Sequence, residues 1–194
     1  MAEPLRERPA LPVTPAAAAG DAGPHLFARA NLCLTQVIAR PGKDWQVGRV
    51  LGLALPPRPN TTATDGDIVV FCLRPRDWLI VTLDAEGRKG GVAVEARKRL
   101  AGLAAAIDQS HGRVVLRLDG KGARALLQTG CNFDLDGTVF TPGAMAQTGI
   151  NGIAIMLHCL DADRFDLYVA RSFAASLVRW LEHQGAVPNP GKPS

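Results

Sequence analysis

Two passages of the chain follow one pattern. Cys72-Leu73-Arg74-Pro75-Arg76-Asp77-Trp78 lines up with Cys159-Leu160-Asp161-Ala162-Asp163-Arg164-Phe165. Each ends an apolar run, turns through polar residues and opens the next run with an aromatic. A chain that repeats itself must place two copies of one supersecondary unit, which narrows the architectures open to it. The flanking periodicities agree. In the first copy, residues 32–38 read as a strand. Asp44 is placed to cap a helix in which Val47, Val50, Leu51 and Ala54 share a face, with Pro56, Pro57 and Pro59 ending it. Residues 61–66 read as a polar loop, and 68–73 with 78–82 as a hairpin. A helix follows, with Val92, Ala96, Leu100, Leu103 and Ile107 on one stripe. In the second copy, Val114, Leu116 and Leu118 alternate on a strand. A short helix carries Ala123, Leu126 and Leu127 and stops at Gly130. Residues 145–150 read as a strand. Ile153, Ile155, Leu157 and Cys159 share one strand face, and Phe165, Leu167 and Val169 the next. Ser172 is placed to cap a last helix whose Phe173, Leu177 and Leu181 face inward, with Trp180 beside them. This order predicts an α+β fold of two similar strand–helix–hairpin–helix halves with antiparallel sheet.

The body is expected over residues 29–184. Residues 1–28, rich in Pro, Ala and Gly, read as a disordered N-terminal arm, and 185–194 as a flexible tail. Hydrophobic residues make up 47% of the chain, enough for a core. Of the net charge of +4, residues 1–30 contribute nothing, because Arg6, Arg8 and Arg29 balance Glu3, Glu7 and Asp21. A local excess sits where Arg88, Lys89, Arg97, Lys98 and Arg99 face Glu86 and Glu95. Such a face suits solvent or an acidic partner. The excess is modest and no strand is rich in aromatics, so nucleic acid is not expected. Cys33, Cys72, Cys131 and Cys159 are spaced neither as a metal set nor as a redox pair, and read as reduced core thiols. No apolar run approaches a membrane span. A cytoplasmic protein without nucleic acid or membrane partners is expected.

Several motifs resemble active-site chemistry. Gly120-Lys121-Gly122-Ala123-Arg124-Ala125 follows a strand and opens a helix, as a dinucleotide-binding turn does. The helix is short and no acidic residue ends the next strand, so a tight turn is the expected reading. Asp108, Ser110 and His111 bring triad residue types into one turn, where Asp and Ser are expected to bond local backbone. Cys131 has no evident base and reads as a structural thiol. Asp134 and Asp136 read as loop acids. His25, His158 and His183 are too scattered to hold a metal. Trp45, Trp78 and Trp180 read as core or interface anchors. No catalytic, cofactor-binding or metal-binding residue is assigned.

The wording of the chain resembles a family. Asp108-x-Ser110-x-Gly112-Arg113, Val115-Leu116-Arg117-Leu118-x-Gly120-x-x-Ala123-x-x-Leu126-Leu127-x-x-Gly130-Cys131-x-x-Asp134-Leu135, Phe140-x-Pro142-Gly143-x-x-Ala146-Gln147-Thr148 and Phe165-Asp166-Leu167-Tyr168-Val169-x-Arg171-Ser172-Phe173 resemble the gamma subunit of heterotetrameric sarcosine oxidase. Upstream, Gly52-Leu53-x-Leu55-Pro56, Pro59-Asn60 and Trp78-Leu79-Ile80-Val81 fit it too. That family is in turn similar to the folate-binding domain of the glycine-cleavage aminomethyltransferase, where the nearest match to an Asp that supports folate chemistry is Asp134. The resemblance implies a noncatalytic small subunit of a complex that demethylates sarcosine to glycine. Hydrogen peroxide and formaldehyde or methylenetetrahydrofolate are the other products. FAD, FMN, NAD and tetrahydrofolate are implied for the partners, and the partners are alpha, beta and delta subunits. Alternatives are a free-standing folate-dependent one-carbon transferase using Asp134, the equivalent subunit of an N-methylglutamate dehydrogenase, and a basic nucleic-acid module. Arg97, Lys98 and the N-terminal arm are the candidate docking surfaces.

Overall fold

The computed structural model describes residues 23–83 and 91–188. After β1 (His25–Ala28), the first half runs β2 (Leu32–Ala39), α1 (Asp44–Leu51), β3 (Thr61–Asp65), β4 (Ile68–Arg74), β5 (Asp77–Leu83), α2 (Gly91–Arg99) and β6 (Ala104–Asp108). The second half runs β7 (Arg113–Asp119), α3 (Ala123–Gln128), β8 (Met145–Ile150), β9 (Ile153–Asp161), β10 (Arg164–Ala170), α4 (Ala174–His183) and β11 (Val187–Pro188). One sheet has the order β3-β4-β5-β2-β6 and the other β11-β1-β7-β10-β9-β8. The inner orders β3-β4-β5-β2 and β8-β9-β10-β7 match, and the strands within them are antiparallel. The α+β fold with antiparallel sheets is as the sequence predicts.

The duplication extends to individual hydrogen bonds. Cys72 pairs with Trp78 and Arg74 with Asp77; Cys159 pairs with Phe165 and Asp161 with Arg164. Each hairpin therefore carries a bulge at the same place, where one strand holds an extra residue. The Cys72 thiol donates to the Arg74 carbonyl at 3.3 Å, and the Cys159 thiol to the Asp161 carbonyl at 3.3 Å. The Asn60 N–H reaches the Cys72 carbonyl at 3.0 Å, and the Gly143 N–H the Cys159 carbonyl at 2.8 Å. Asn60 (φ 59°) and Gly143 (φ 86°) both take the left-handed conformation that Asn and Gly tolerate, directly after Pro59 and Pro142.

Alternation along the strands builds four layers. One strand face packs on helices: Leu116, Leu118, Leu157, Phe165 and Leu167 meet Leu126, Leu127, Leu177 and Leu181 of α3 and α4. In the other half Val37, Val70, Cys72 and Trp78 meet Val47, Ala96 and Leu100 of α1 and α2. The opposite faces pack sheet on sheet, with Leu34, Phe71, Leu79 and Val81 against Val115, Met145, Met156 and Tyr168.

The structure differs from the sequence expectation at element ends. Residues 61–65 form β3 rather than a loop, which extends the first hairpin to three strands. Helix α1 stops at Gly52 (φ 73°), whose N–H bonds the Gly48 carbonyl, before any proline acts; Ala54 lies outside it. Asp44 sits in its first turn instead of capping it. Helix α2 ends at Arg99, and Gly102 (φ 79°) turns the chain so that Leu103 and Ile107 leave the stripe. The run 104–108 becomes β6 because the free edge of β2 offers it a ladder. Neither Ser172 nor Phe173 acts as expected: a short 3₁₀ turn precedes α4 without a side-chain cap, and Phe173 is exposed. Short strands lie just outside the expected boundaries at 28 and 185. His25–Ala28 pairs with β7, and Val187–Pro188 lies parallel to β1 as the outermost strand, where a proline costs no ladder bond. Residues 1–22 of the expected arm and 189–194 of the tail lie outside the described residues.

Gly130 is not a left-handed cap. A Cβ there would lie 2.3 Å from a ring carbon of Trp180, so the glycine exists to admit the indole. Gly130→Ala should displace Trp180 from α3 and lower stability by about 1–3 kcal/mol. Denaturant unfolding together with a red-shifted tryptophan emission checks this; an unchanged midpoint would refute it.

Candidate interaction surface

The motifs that resemble active-site chemistry are committed to the fold. Gly120 (φ 122°) and Gly122 (φ 89°) make a turn into a six-residue helix. The donor a phosphate would use is taken: the Arg124 N–H bonds the Asp163 carboxylate at 3.2 Å, and the Gly120 N–H the Asp163 carbonyl at 3.0 Å. Asp108 accepts from the Ser110 N–H at 2.9 Å, while the Ser110 hydroxyl oxygen accepts from the Leu34 N–H at 3.0 Å. That turn fastens β6 to β2. Cys131 is buried, 3.7 Å from the Thr148 hydroxyl. Burial raises the Cys72 and Cys159 thiols, which makes them poor nucleophiles. Asp134 is exposed and accepts from the Asp136 N–H at 2.9 Å; Asp136 accepts from the Thr138 N–H and hydroxyl. Both acids shape a loop. Among the described residues no cluster of three His, Cys, Asp or Glu is placed to hold a metal. No helix there is long and apolar enough to cross a membrane.

The basic face of α2 is partly tied inward. Arg97 donates twice to the Ala106 carbonyl, at 3.2 and 3.1 Å, covering the outer edge of β6. Arg99 donates to the Val50 carbonyl, and Lys98 lies 3.9 Å from Glu95 on the surface.

A buried charged seam lies between the sheets, and sequence reasoning did not find it. Arg117 on β7 and Asp166 on β10 face each other directly and form a bidentate pair at 2.8 and 2.9 Å. Burial lowers the pKa of nearby Arg29 and the charge of Arg117 lowers it further, while Asp166 raises it. Burial raises the Tyr168 phenol, and Asp166 adds to that. His158, packed edge-on against Phe71 with centroids 4.9 Å apart, is depressed to about 4, chiefly by burial. His158, Asp166 and Tyr168 are buried between the two sheets, the Arg117 side chain is 13% exposed and Arg29 is half-buried beside them.

The surface does carry an open cleft. It has a volume of about 370 Å³ and lies between α1, the connection after it and the β4–β5 turn. Trp78 forms its floor and donates its indole N–H to the Pro56 carbonyl at 2.8 Å. Trp45 stands at the rim, 64% exposed. Of the three tryptophans read as anchors, Trp78 is core, Trp180 packs on the core from α4, and Trp45 alone projects outward.

The fold has known counterparts. A chain of heterotetrameric sarcosine oxidase from Corynebacterium sp. U-96, solved with pyrrole 2-carboxylate, superposes with a TM-score of 0.76 at 22% identity, covering 86% of this chain and 85% of that one. Glycine cleavage system aminomethyltransferase T from Bartonella henselae superposes with a TM-score of 0.59 at 17% identity over 82% of this chain, which spans only 45% of that protein. No curated protein matches the chain in sequence. The sequence profile of the sarcosine oxidase, gamma subunit family matches residues 37–187, across both halves of the duplicated body. The chain belongs to the sarcosine oxidase, gamma subunit family.

Proposed function

We propose that the chain is the noncatalytic small subunit of a heterotetrameric sarcosine oxidase. The assembled enzyme oxidatively demethylates sarcosine to glycine, with hydrogen peroxide and formaldehyde or methylenetetrahydrofolate as the other products. FAD, FMN, NAD and tetrahydrofolate are held by its companions, the alpha, beta and delta subunits. The carrying observation is the family match over residues 37–187, which leaves neither half of the body outside it.

The polar groups of the chain support a packing role. The helix start that would cradle a phosphate holds Asp163, and the largely buried Arg117 and Asp166 satisfy each other. The Asp134 carboxylate is exposed and one of its oxygens is engaged by the Asp136 N–H, which supports a loop acid rather than a folate site.

Affinity capture of the tagged full chain should bring down large flavin-bearing chains whose assembly turns over sarcosine, whereas the isolated chain should be colourless. Titration of the isolated chain with tetrahydrofolate should give no saturable signal. A saturable signal removed by Asp134→Ala would overturn the reading in favour of the transferase. A captured complex oxidising N-methylglutamate instead would assign the chain to that related enzyme.

A further inference from the structure

We propose that the cleft over Trp78 is a socket for an extended segment of a large flavin-bearing partner chain, which inserts one aromatic or large apolar side chain flanked by carboxylates. The proposal rests on the subunit reading above and names the surface through which it operates. The internal duplication carries the argument. Phe165 stands in the second half where Trp78 stands in the first, since each opens its strand opposite the matched cysteine. Over Phe165 the space is filled from within. Phe140 stacks parallel to it at 6.5 Å, Phe133 meets Phe140 edge-on at 5.4 Å, and Arg124 lies 5.0 Å above the Phe165 ring. The Arg124 guanidinium then donates to the carbonyls of Ala162, Leu135 and Phe140. The two phenylalanines of this plug come from the long connection 129–144 between α3 and β8, and Arg124 from α3 itself.

In the first half the matching connection is the shorter 52–60. Counting back from the equivalent Pro59-Asn60 and Pro142-Gly143 pairs, Pro57 takes the place of Phe140. It brings no aromatic ring over Trp78, and the cleft stays open. The walls are apolar, from Leu53, Leu55 and Pro57, and the cleft is also lined by the guanidinium-bearing Arg49 and Arg76 against one carboxylate, Asp44. The Arg76 carbonyl accepts from the Ala39 N–H at 2.8 Å, so the turn that presents it is anchored to β2. A segment replacing the missing plug would lay a ring or large apolar group between Trp45 and Trp78 and set acidic groups against the two arginines.

The test uses the full chain co-expressed with its flavin-bearing partners. The triple variant Trp45→Ala, Arg49→Glu, Arg76→Glu alters exposed side chains and should weaken assembly by about 100-fold or more. Trp45→Phe should retain most of the affinity. In the wild-type complex, hydrogen exchange over residues 44–57 and 75–78 should slow relative to the isolated chain. An unchanged unfolding midpoint of the isolated triple variant would tie its loss of assembly to the surface rather than to the fold. Normal co-elution of the triple variant overturns the socket and leaves the subunit reading standing. Failure of the wild-type chain to co-elute removes the subunit reading and the socket with it. Concentration-dependent dimerisation of the isolated chain that the triple variant loses would give the cleft to a second copy and overturn the proposal. Protection of residues 44–57 in the isolated chain that vanishes on deleting residues 1–22 would give it to this chain's own start, with the same consequence.

Discussion

Asp166→Ala should lower folding stability by about 3–5 kcal/mol, the range for removing one partner of a buried ion pair. The pair has the features that make such a loss large. The Arg117 and Asp166 side chains are 13% and 6% exposed, and both guanidinium–carboxylate bonds are short. Burial opposes the charge on Arg117, but hydrogen bonding and attraction to Asp166 more than offset it, so its pKa is raised. Asp166 also offsets the charge of Arg29. Without the carboxylate two guanidinium groups would be left in one poorly solvated seam. Each would need water that the sheet-on-sheet packing excludes. The cost should be nearly independent of salt, because a pair this deep is weakly screened. A double variant, Arg117→Met with Asp166→Leu, should recover most of the loss by replacing charge with apolar volume. Urea unfolding at two salt concentrations reads all of this. A loss below about 1 kcal/mol for Asp166→Ala would mean that the pair behaves as a surface bridge and that water reaches the seam.

The same seam marks where sequence reading reaches its limit. The strands were legible because alternation is local: Val114, Leu116 and Leu118 face one way whatever lies opposite. The duplicated hairpins were legible because a bulge, a thiol bonded across it and an aromatic opening the return strand recur within seven residues. Arg117 and Asp166 occupy the alternate positions of those strands, which a single sequence presents as the solvent face. Only the second sheet, contributed by residues far along the chain, turns that face into an interior. Strand β3 reads as a loop in sequence because its threonines carry no apolar alternation and lie half-exposed or exposed on an edge. The Ala-rich run 104–108 suits helix and strand alike, and the open edge of β2 decided between them. The basic face of α2 was legible as charge, but the bonds from Arg97 to Ala106 and from Arg99 to Val50 depend on tertiary placement. Trp45 was recognisable as an anchor.

Phe71→Ala should be the other large loss, about 3–5 kcal/mol, and it should also change how the protein responds to acid. Phe71 is fully buried at the centre of the sheet-on-sheet interface, edge-on to His158 at 4.9 Å and to Tyr168 at 5.4 Å. Its ring is part of what keeps water from the imidazole. Burial is the largest cause holding His158 at about 4 against an ordinary 6.5; Asp166 pulls upward and Arg117 pushes down. Because the folded value lies below the unfolded one, the unfolded chain binds a proton first as pH falls. The stability held above pH 6.5 is therefore lost between 6.5 and about 4, by about 3 kcal/mol if no water enters. Carboxylates titrate over part of the same window, so the His158 share is the difference between wild type and His158→Gln. Removing the Phe71 ring leaves space beside a polar group, where water can enter and solvate the imidazolium. The His158 titration, followed by its ring-proton resonance, should move up toward 6.5, and the acid-dependent loss should shrink by a corresponding amount. A large fall in stability at pH 7 with an unmoved His158 titration would show that the seam closes over the cavity, and that desolvation of the imidazole comes from the strands rather than from Phe71.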